Sequence, residues 1–579
     1  MSARPTPEQE VLDYIFSSFR DEQYPDEPID EVFEIYTASQ LLKHRNLSDE
    51  DISAGIVDGS HDGGIDCFYI FLNGALVQSD HPALDAQSEF VRRSPQHPSI
   101  DVVILQTKNS TSWAEVAWER LLSNLDRLLD NAISLEDLSH SFSPSILERI
   151  DQYRTIHRNL ARRLPRRSFT VKYATRAPTM NITPSLVAKE AQVRELIRER
   201  LPGDASIDVS HVGAEKLYQL AGEPFSPPGT LAFRNLIRER NSFLGVASVE
   251  HYLAFVRDEH GDLRDDLFDS NVRDFEGDKG VNGSIRETLE EDGSEFWWQN
   301  NGITVLGTEV IDDQGVLTID QPLIVNGLQT THVLHATQRD GVMNDARIEQ
   351  GVIVRVITTD DDETRDRVIG GTNRQTPVGS SALLASDNLQ RDIERYLYKY
   401  GWFYERRKNQ YKNKGKSARS RVSINQLAQA MMTLHLGLPE TARARPTSLL
   451  TQEGGYERVF DPTVDRGAYL RAVELLSHVS DFLRTTAAKE IIDEYSNTRF
   501  FLLVGVAMKQ LGIRTFTSLQ FSRNYHSIAS APSHDILIDT LGRVKVLAEE
   551  YESSHPETKR DAVFKNSDFR RYFLEQVNA

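Results

Sequence analysis

A run of three prolines and one glycine within the seven residues 223–229 constrains the fold of this chain more than any other feature. Neither a helix nor a central β-strand continues through such a run, because each proline lacks an N–H donor and fixes its own φ angle. The run therefore predicts a boundary between two folding units. With 579 residues in total, the chain is long enough for a further division downstream.

The hydrophobic pattern predicts three regions. Residues 1–223 mix helical patterns with short apolar strands, which is typical of a mixed α/β domain. Residues 230–384 predict a second α/β region, with strands near 303–310, 316–319, 323–325 and 351–357. In residues 385–579, apolar side chains recur at helical spacing without strand-like alternation, so we expect a helical C-terminal region.

Composition excludes several classes of protein. The longest strongly apolar run, residues 500–508, is far shorter than the roughly 20 residues that cross a bilayer, so it predicts a buried helix. The N-terminus lacks the apolar core of a secretory signal. The single cysteine, Cys67, excludes an intrachain disulfide and a multi-cysteine zinc site. We therefore expect a cytoplasmic protein without a membrane partner.

The charge is distributed unevenly along the chain. The 66 basic and 86 acidic residues give a formal net charge of -20, which on average repels a polyanionic partner. Residues 154–176 and 406–421 nevertheless each contain eight basic residues and no carboxylate. Such stretches concentrate phosphate contacts, although a solvated surface fits either one equally well. The predicted nucleic-acid-binding residues are Arg162, Arg163, Arg166, Arg167, Arg406, Arg407, Lys408 and Lys412.

Two predicted strands near the N-terminus carry side chains that suit a metal ion. Residues 64–72 alternate as a strand after two glycines, which places Asp66 on the face opposite Cys67. At the end of the strand over 100–106, side chains two residues apart share a face, so Gln106 and Lys108 project together. A carboxylate on one strand, with an amide oxygen and an amine on the next, can hold a hard divalent cation and orient an attacking water for phosphodiester hydrolysis.

We assign Asp66 and Gln106 as ligands of Mg²⁺ or Mn²⁺, and Lys108 as the group that assists the attacking water or stabilises the transition state. A third ligand is desirable, because these two ligands supply one formal negative charge. Glu34, on a helix predicted over 30–42, is the candidate, although a helix carboxylate commonly faces water. Asp62 is the alternative ligand, and a plain turn residue before two glycines is favoured for it.

The central region contains a second candidate pocket. Residues 322–325 predict a short strand, Asn326 and Gly327 a turn, and residue 328 onward a helix, an arrangement that points free backbone N–H groups at one spot. An ordinary capped helix fits the same pattern and is favoured on geometry alone. The four consecutive acidic residues 360–363 are interpreted as N-terminal helix caps rather than a metal site. The predicted pocket residues, which would otherwise belong to simple loops, are Asn301, Asn326, Gln329, Thr330, Asn373 and Arg374.

The segments GSHDGGIDCFYI (59–70) and DVVILQTKNS (101–110) resemble the PD-(D/E)xK nuclease superfamily, specifically its Mrr-like branch, in which glutamine replaces the acidic residue. The resemblance covers about residues 8 to 220. It implies a restriction-endonuclease-like mixed sheet in which Asp66 is the family aspartate. It also implies that Gln106 and Lys108 form the (E/Q)xK pair and that Glu34 is the helix glutamate.

A second resemblance lies further along the chain. Five ordered segments are similar to the AIPR family of bacterial abortive phage infection proteins: NVRDFEGDKGVN (271–282), FWWQNNGITV (296–305), PLIVNGLQTTH (322–332), GTNRQTPV (371–378) and GWFYERRKNQY (401–411). This resemblance implies a role in antiphage defence, with a nuclease-like N-terminal region and a central α/β AIPR module. It supplies no catalytic set for that module.

Together these features predict a metal-dependent endonuclease of antiphage defence that hydrolyses phosphodiester bonds of foreign DNA, with DNA favoured over RNA. Other defence proteins are candidate partners, and a homodimer would ease the cutting of both strands of a duplex. The alternative is a non-catalytic sensor or scaffold that binds nucleic acid or a phage trigger. Binding that persists in chelator without cleavage would favour that alternative.

Overall fold

A computed structural model describes residues 5–578, apart from residues 26, 58–60, 95, 202, 204, 225, 259, 260, 262, 269–295, 297–300, 340, 342, 374–387, 413 and 559. Within these ranges the fold is mixed α/β with a helical C-terminal region, as the sequence predicts. The restriction-endonuclease-like character of the N-terminal sheet stays a prediction.

The N-terminal region is built on one sheet. Its strands are β1 Cys67–Leu72, β2 Ala75–Leu76, β3 Ser99–Lys108, β4 Arg166–Thr175 and β5 Ala205–Val212. They lie in the order β2-β1-β3-β4-β5. β1 is antiparallel to both of its neighbours, β2 and β3, whereas β3, β4 and β5 run parallel to one another. The strands at the centre are almost wholly apolar because both faces of the sheet are covered.

Helices cover the two faces of this sheet. They are α1 Pro7–Gln23, α2 Ile29–Leu41, α3 Asp49–Ala54, α4 Glu89–Arg93, α5 Glu115–Leu128, α6 Leu135–Ser139, α7 Pro144–Asn159, α8 Pro184–Arg200 and α9 Ala214–Gly222. Helices α1, α2 and α9 pack on the face that carries Val103 and Leu105. Helices α5, α7 and α8 pack on the opposite face, which carries Val102 and Ile104.

One detail of this region differs from the sequence prediction. Strand β1 begins at Cys67 rather than at residue 64, because Gly63 and Gly64 have φ angles of +72° and +79° and form a turn that no strand continues through. The first basic stretch, residues 154–176, is divided among the end of α7, a short 3-10 turn at Ala161–Arg163 and β4.

The central region contains two sheets. Its strands are β6 Gly229–Ala232, β7 Asn235–Glu239, β8 Ser242–Ser248, β9 Ile303–Gly307, β10 Val310–Asp313, β11 Val316–Ile319, β12 Leu323–Asn326 and β13 Gly351–Thr358. One sheet has the order β12-β9-β13-β8-β7 and the other β10-β11-β6. The helices of this region are α10 Val249–Phe255, α11 Leu328–Arg339, α12 Asp345–Ile348 and α13 Asp362–Asn373.

The strand predicted over 303–310 is divided in the structure. The chain leaves the five-stranded sheet after Gly307 and enters the three-stranded sheet at Val310. Between them, the Thr308 N–H donates to the Asp320 carbonyl at 3.0 Å, which holds the crossing point in place. An apolar run alone does not reveal such a change of sheet.

The C-terminal region is helical except for a short parallel pair, β14 Phe403–Glu405 and β15 Arg421–Ser423. Its helices are α14 Asn388–Tyr398, α15 Ile424–Leu434, α16 Pro439–Ala444, α17 Pro446–Thr451, α18 Gly455–Val459, α19 Arg466–Leu483, α20 Thr486–Ile491, α21 Tyr495–Leu511, α22 Gln520–Asn524, α23 His534–Ser554, α24 Arg560–Val563 and α25 Ser567–Gln576. Residues 500–508 are buried on α21, as predicted. Among the described helices, none is both long and apolar enough to span a bilayer.

Candidate active site

Asp66 lies directly before β1 and faces Gln106 near the end of β3. Its backbone N–H donates to the Leu105 carbonyl at 3.0 Å, which sets the register at this end of the sheet. Gln106 Nε2 donates to Asp66 Oδ2 at 2.9 Å, and Thr107 Oγ1 donates to the same oxygen at 3.1 Å. The Thr107 backbone N–H is a third donor to it. Three donors on one oxygen hold this buried carboxylate in one orientation.

The amide of Gln106 is satisfied at one end only. Its Nε2 donates to Asp66 and to the Thr107 carbonyl, while its buried Oε1 accepts no hydrogen bond from the described residues. A buried carbonyl oxygen without a donor costs about 1–3 kcal/mol. The Gln106 Oε1 atom is therefore chemically suited to receive a cation.

The absence of a side chain at Gly64 keeps the space beside Gln106 Oε1 free of a Cβ atom. A Cβ atom at position 64 would lie 3.2 Å from Gln106 Oε1 and 2.9 Å from Arg120 Cβ. The positive φ of Gly64 also disfavours any other residue here. The glycine is thus required both by the turn and by the room around the amide oxygen.

Lys108 is the last residue of β3, and its side chain is exposed. Since it lies two residues after Gln106, the two side chains leave the strand on the same face. Gln106 in turn is hydrogen-bonded to Asp66. Thr107, whose side chain leaves β3 on the opposite face, donates to the same Asp66 oxygen. These bonds therefore place the carboxylate at the end of the strand, and its pairing with Lys108 stays a prediction.

Glu34 is buried on α2, with 7% of its surface exposed, rather than facing water. Helix α2 packs on the sheet face that carries Val103 and Leu105. Its first turn meets the end of β3, where Asn109 Nδ2 donates to Asp30 Oδ1 at 3.0 Å. Helix α2 and helix α5 lie on opposite faces of the sheet. To bind a metal ion together with Gln106, the Glu34 side chain would therefore have to reach the ion past the end of β3.

The donor set fits Mg²⁺ or Mn²⁺. It consists of a fixed carboxylate at Asp66 and an amide oxygen without a donor at Gln106, and hard cations prefer such oxygen ligands. Glu34 as the third ligand stays a prediction. In the part of the chain that the structure describes, no three His, Cys, Asp or Glu residues gather around one point. A cation site here would therefore depend on the glutamine, with waters in the remaining positions.

Asp62, the alternative ligand, is used by the turn before β1. Its Oδ1 accepts the Gly64 N–H at 2.6 Å, and its carbonyl accepts the Ile65 N–H at 3.3 Å. This hydrogen bonding between an aspartate and the backbone two residues ahead is the turn role that the sequence favours.

A row of side chains across the sheet continues from this pair, and sequence reasoning missed it. Gln106 is in register with Tyr173 on β4, and Tyr173 with His211 on β5. His211 Nδ1 lies 2.8 Å from a Glu190 carboxylate oxygen, and its Nε2 accepts from Trp118 Nε1 at 2.7 Å. Burial lowers the pKa of His211 despite the opposing effect of Glu190, so the ring is neutral and held between two partners. Only strand register could have revealed this row.

The first set of predicted nucleic-acid-binding residues lies at the other end of the sheet. Arg167 and Tyr173 are separated by six residues of β4, or about 20 Å at about 3.3 Å per residue. Tyr173 is the residue in register with Gln106. This surface is remote from the candidate site. Nucleic-acid binding by its residues stays a prediction; they are Arg162, Arg163, Arg166 and Arg167.

The second set lies against acidic residues from elsewhere in the chain. Lys408 Nζ is 2.9 Å from Asp51 Oδ2, and Lys412 Nζ is 3.1 Å from Asp49 Oδ1. Carboxylates on α3 therefore offset part of the positive charge of residues 406–421, and nucleic-acid binding by this stretch stays a prediction. Arg406 Nε is likewise 2.6 Å from Glu394 Oε2, on α14. The remaining member of the set is Arg407, which lines the same boundary between the N-terminal and C-terminal regions.

The central pocket is present only in part within the described residues. Gly327, with φ +108°, joins β12 to α11, and a Cβ there would meet Ile303 Cγ1 at 2.7 Å. Thr331 closes the first turn of α11 by donating through both N and Oγ1 to the Gly327 carbonyl. These are bonds within the first helical turn rather than a side-chain cap, so both the ordinary capped helix and the anion pocket stay predictions. The predicted residues are distributed as follows: Asn326, Gln329 and Thr330 at the turn, Asn301 exposed before β9, Asn373 at the end of α13 and Arg374 outside the described residues.

The acidic run at 360–363 also acts as a cap. Asp361 Oδ2 accepts the Thr364 N–H at 2.8 Å at the start of α13. Its own N–H donates to Thr359 Oγ1 at 3.1 Å. A carboxylate at a helix N-terminus also interacts favourably with the helix dipole, so this cap needs no metal.

Residues 268–529 match the family model described as AIPR protein. The match runs from the central region through much of the helical region and crosses the boundary predicted at residue 384. It supports the resemblance to the AIPR family, which implies a role in abortive-infection antiphage defence. No curated protein and no solved structure matches the chain. The Mrr-like assignment of the N-terminal region, which lies before the match, stays a prediction.

Proposed function

We propose, from the AIPR match over residues 268–529 and the geometry around Asp66, that the protein is a Mg²⁺-dependent endonuclease of antiphage defence. Its substrate would be foreign DNA, and its N-terminal region would cut the phosphodiester backbone. The central and C-terminal regions would recognise the substrate or a trigger of infection.

One observation carries this proposal: the arrangement of Asp66 and Gln106. Their side chains meet at 2.9 Å on neighbouring strands, while Gln106 Oε1 lacks a donor among the described residues. A pair held together only to stabilise the sheet would be expected to satisfy both ends of the amide. Lys108 follows on the same face, as phosphodiester cleavage requires of a cationic group near the reacting phosphate.

Each side chain has a defined task in this account. Asp66, Gln106 and Glu34 would hold the ion, and Thr107 would keep the Asp66 carboxylate oriented through its two donors. When bound, the ion would polarise the phosphate and activate a water. Lys108 would donate to the attacking water or to a phosphate oxygen, which offsets the negative charge that develops in the transition state.

The test is cleavage of double-stranded DNA, single-stranded DNA and RNA by purified protein in Mg²⁺ and in EDTA. We expect metal-dependent cleavage of DNA that falls at least about 100-fold in Asp66→Asn and in Lys108→Ala, the usual scale for loss of one transition-state contact. Lys172→Ala and Asp208→Asn are matched controls, because this ion pair lies on the same sheet outside the candidate site. Both controls should cleave like the wild type.

Two results would contradict the proposed nuclease activity or its assigned residues. If wild type, Asp66→Asn and Lys108→Ala all bind nucleic acid in EDTA and none cleaves it in Mg²⁺, the protein is a sensor rather than a nuclease. Equal cleavage by all three proteins would place the catalytic residues elsewhere in the chain.

A further inference from the structure

A cavity of about 530 Å³ lies between the N-terminal and C-terminal regions, and its lining residues do not include Asp66, Gln106 or Lys108. One wall comes from residues 48–55, the β1-β2 hairpin and Arg149 of α7. The other comes from residues 402–409 and 418–429 together with α19 and α21. Its volume falls in the range of about 300–1,000 Å³ typical of small-molecule sites. A nucleic-acid duplex is too large to enter it.

The walls of this cavity are unusually basic for an acidic protein. Nine arginines and lysines line it, against seven aspartates and glutamates, whereas the whole chain has a net charge of -20. The basic residues are Arg149, Arg406, Arg407, Lys408, Arg419, Arg421, Arg443, Arg484 and Arg499. Such an excess in a cleft favours an anionic occupant, since low-dielectric walls strengthen its attraction.

Several of these cations are already neutralised across the boundary. Arg421 pairs with Asp49 at 2.5 Å, and Arg484 pairs with Glu27 at 3.0 Å. Arg499 differs from them, because no carboxylate of the described residues lies within ion-pair distance of its guanidinium. Its polar contact is with the hydroxyl of Tyr495, at 3.3 Å. Arg499 is therefore the cation best placed to take an anion from solution.

Tyr495 lies between two of these arginines. The Arg484 and Arg499 guanidinium carbons are 5.3 Å and 5.4 Å from the centre of its ring. Burial would raise the pKa of Tyr495, but the two positive charges outweigh it and lower that pKa overall. The two guanidinium groups therefore create a local positive field that an anion would share.

Glu50, a carboxyl group that lines the same cavity, carries little negative charge at neutral pH. Glu50 accepts hydrogen bonds from Ser423 Oγ, and burial together with Asp51 and Asp49 raises its pKa to about 8, against the opposing effect of Arg499. At neutral pH this carboxyl is mostly protonated. Fewer negative charges then oppose an anion at Arg499.

We propose that this cavity binds a nucleotide, with phosphate groups at Arg499 and a planar base against Trp402. The Trp402 side chain is half-buried, whereas Tyr24, Phe68, Tyr69 and Phe500 are buried and the Tyr495 ring lies against two guanidinium groups. Base–aromatic stacking contributes about 1–3 kcal/mol per base in other proteins. A ligand here contacts both regions, so its binding tightens the boundary between them.

The test measures binding by calorimetry and by thermal unfolding of the full chain, with ATP, GTP, CTP and UTP as probes. We expect at least one of them to bind and to raise the melting temperature by several degrees, because a ligand that binds only the folded state stabilises it. Inorganic tripolyphosphate, which has the charges without the base, should bind at least tenfold more weakly. The readout is binding, so the result is independent of whether the protein cleaves DNA.

Variants of Arg499 locate the site. Arg499→Gln should weaken nucleotide binding at least tenfold, Arg499→Lys should weaken it less, and Arg514→Gln, an exposed residue outside the cavity, should leave it unchanged. Trp402→Leu should weaken the nucleotide but not tripolyphosphate, which provides a second test should Arg499→Gln fold poorly. The proposal is wrong if no nucleotide binds the wild type, if Arg499→Gln and Trp402→Leu both bind it normally, or if tripolyphosphate binds as tightly as the nucleotide.

Discussion

Gln106 is the residue on which the candidate site depends. An aspartate or glutamate at this position would add a second negative charge beside Asp66, whereas the amide donates to Asp66 through Nε2 and presents Oε1 elsewhere. A glutamine therefore holds the neighbouring carboxylate and offers a ligand oxygen at the same time. Gly64 and the backbone N–H of Thr107 help to fix the positions of Gln106 Oε1 and Asp66 Oδ2.

Thr107 is predicted to set the affinity for the metal. Thr107→Val removes one of the three donors to Asp66 Oδ2 and keeps the backbone donor and the shape. We expect the Mg²⁺ concentration for half-maximal cleavage to rise about tenfold, the lower end for loss of a group that orients a ligand. Thr433→Val, which removes a buried hydroxyl from α15, is the control and should leave the metal requirement unchanged. A similar requirement in all three proteins would contradict the role of Thr107.

A substitution at Gly64, compared with one at Gly512, distinguishes the effect of backbone strain from the effect of crowding at Gln106. Gly64→Ala places a methyl group 3.2 Å from Gln106 Oε1 in a backbone with φ +79°. Gly512→Ala has a comparable φ of +64° and nothing within 4 Å, so it measures the left-handed strain alone, about 1 kcal/mol. We expect both variants to lose stability in chemical unfolding, but only Gly64→Ala to lose nuclease activity. Equal activities would mean that the space beside Gln106 has no function.

The sequence predicts which helices and strands form more accurately than it predicts where they end or what they pack against. Strands β1 and β3 are recognisable because both are continuous apolar runs, but residues 73–98 lie between them, so local spacing does not predict their pairing. Alternation predicts a start of β1 three residues too early, since it cannot distinguish a strand from a turn with positive φ. The composition of residues 406–421 indicates a positive surface and does not reveal the acidic partners on α3, which lie far away in sequence.

The contact between this stretch and α3 should be important for stability. Asp49 lies within ion-pair distance of Lys412 and Arg421, whose charges lower its pKa although burial raises it. Asp49→Asn should lower the free energy of unfolding by about 2–3 kcal/mol, because two poorly hydrated cations lose their partner. Asp539→Asn, which breaks an exposed pair with Lys509, should change it by about 0.5 kcal/mol or less. Urea unfolding of the two variants compares them directly.

At the scale of the whole molecule, the sequence accounts for the mixed α/β and helical regions but not for how they meet. Asn409 Nδ2 donates to Asn46 Oδ1 across 363 positions of sequence, and the cavity beside it has walls from both ends of the chain. The row from Gln106 to His211 likewise depends on the parallel register of three strands. Such contacts are fixed by packing of the folded chain, for which local spacing carries no signal.

Buried neutral histidines predict the response of the whole protein to acid. Burial lowers the pKa of His81 and His332 to about 4, and burial with nearby Arg257 lowers that of His335 to about 3. At these three positions the unfolded chain therefore binds more protons than the folded one between pH 6.5 and about 4, so their contribution to stability falls as the pH falls. His335→Gln should reduce this pH dependence by about one proton in unfolding curves taken across that window. His140→Gln, at an exposed site, should not change it.

A crystal soaked in Mn²⁺ and measured at the manganese absorption edge would test the central claim most directly. The account predicts one anomalous peak within coordination distance of both the Asp66 carboxylate and Gln106 Oε1, and its loss in Asp66→Asn crystals. An empty site in fully soaked wild-type crystals, or a peak that persists unchanged in Asp66→Asn, would contradict it.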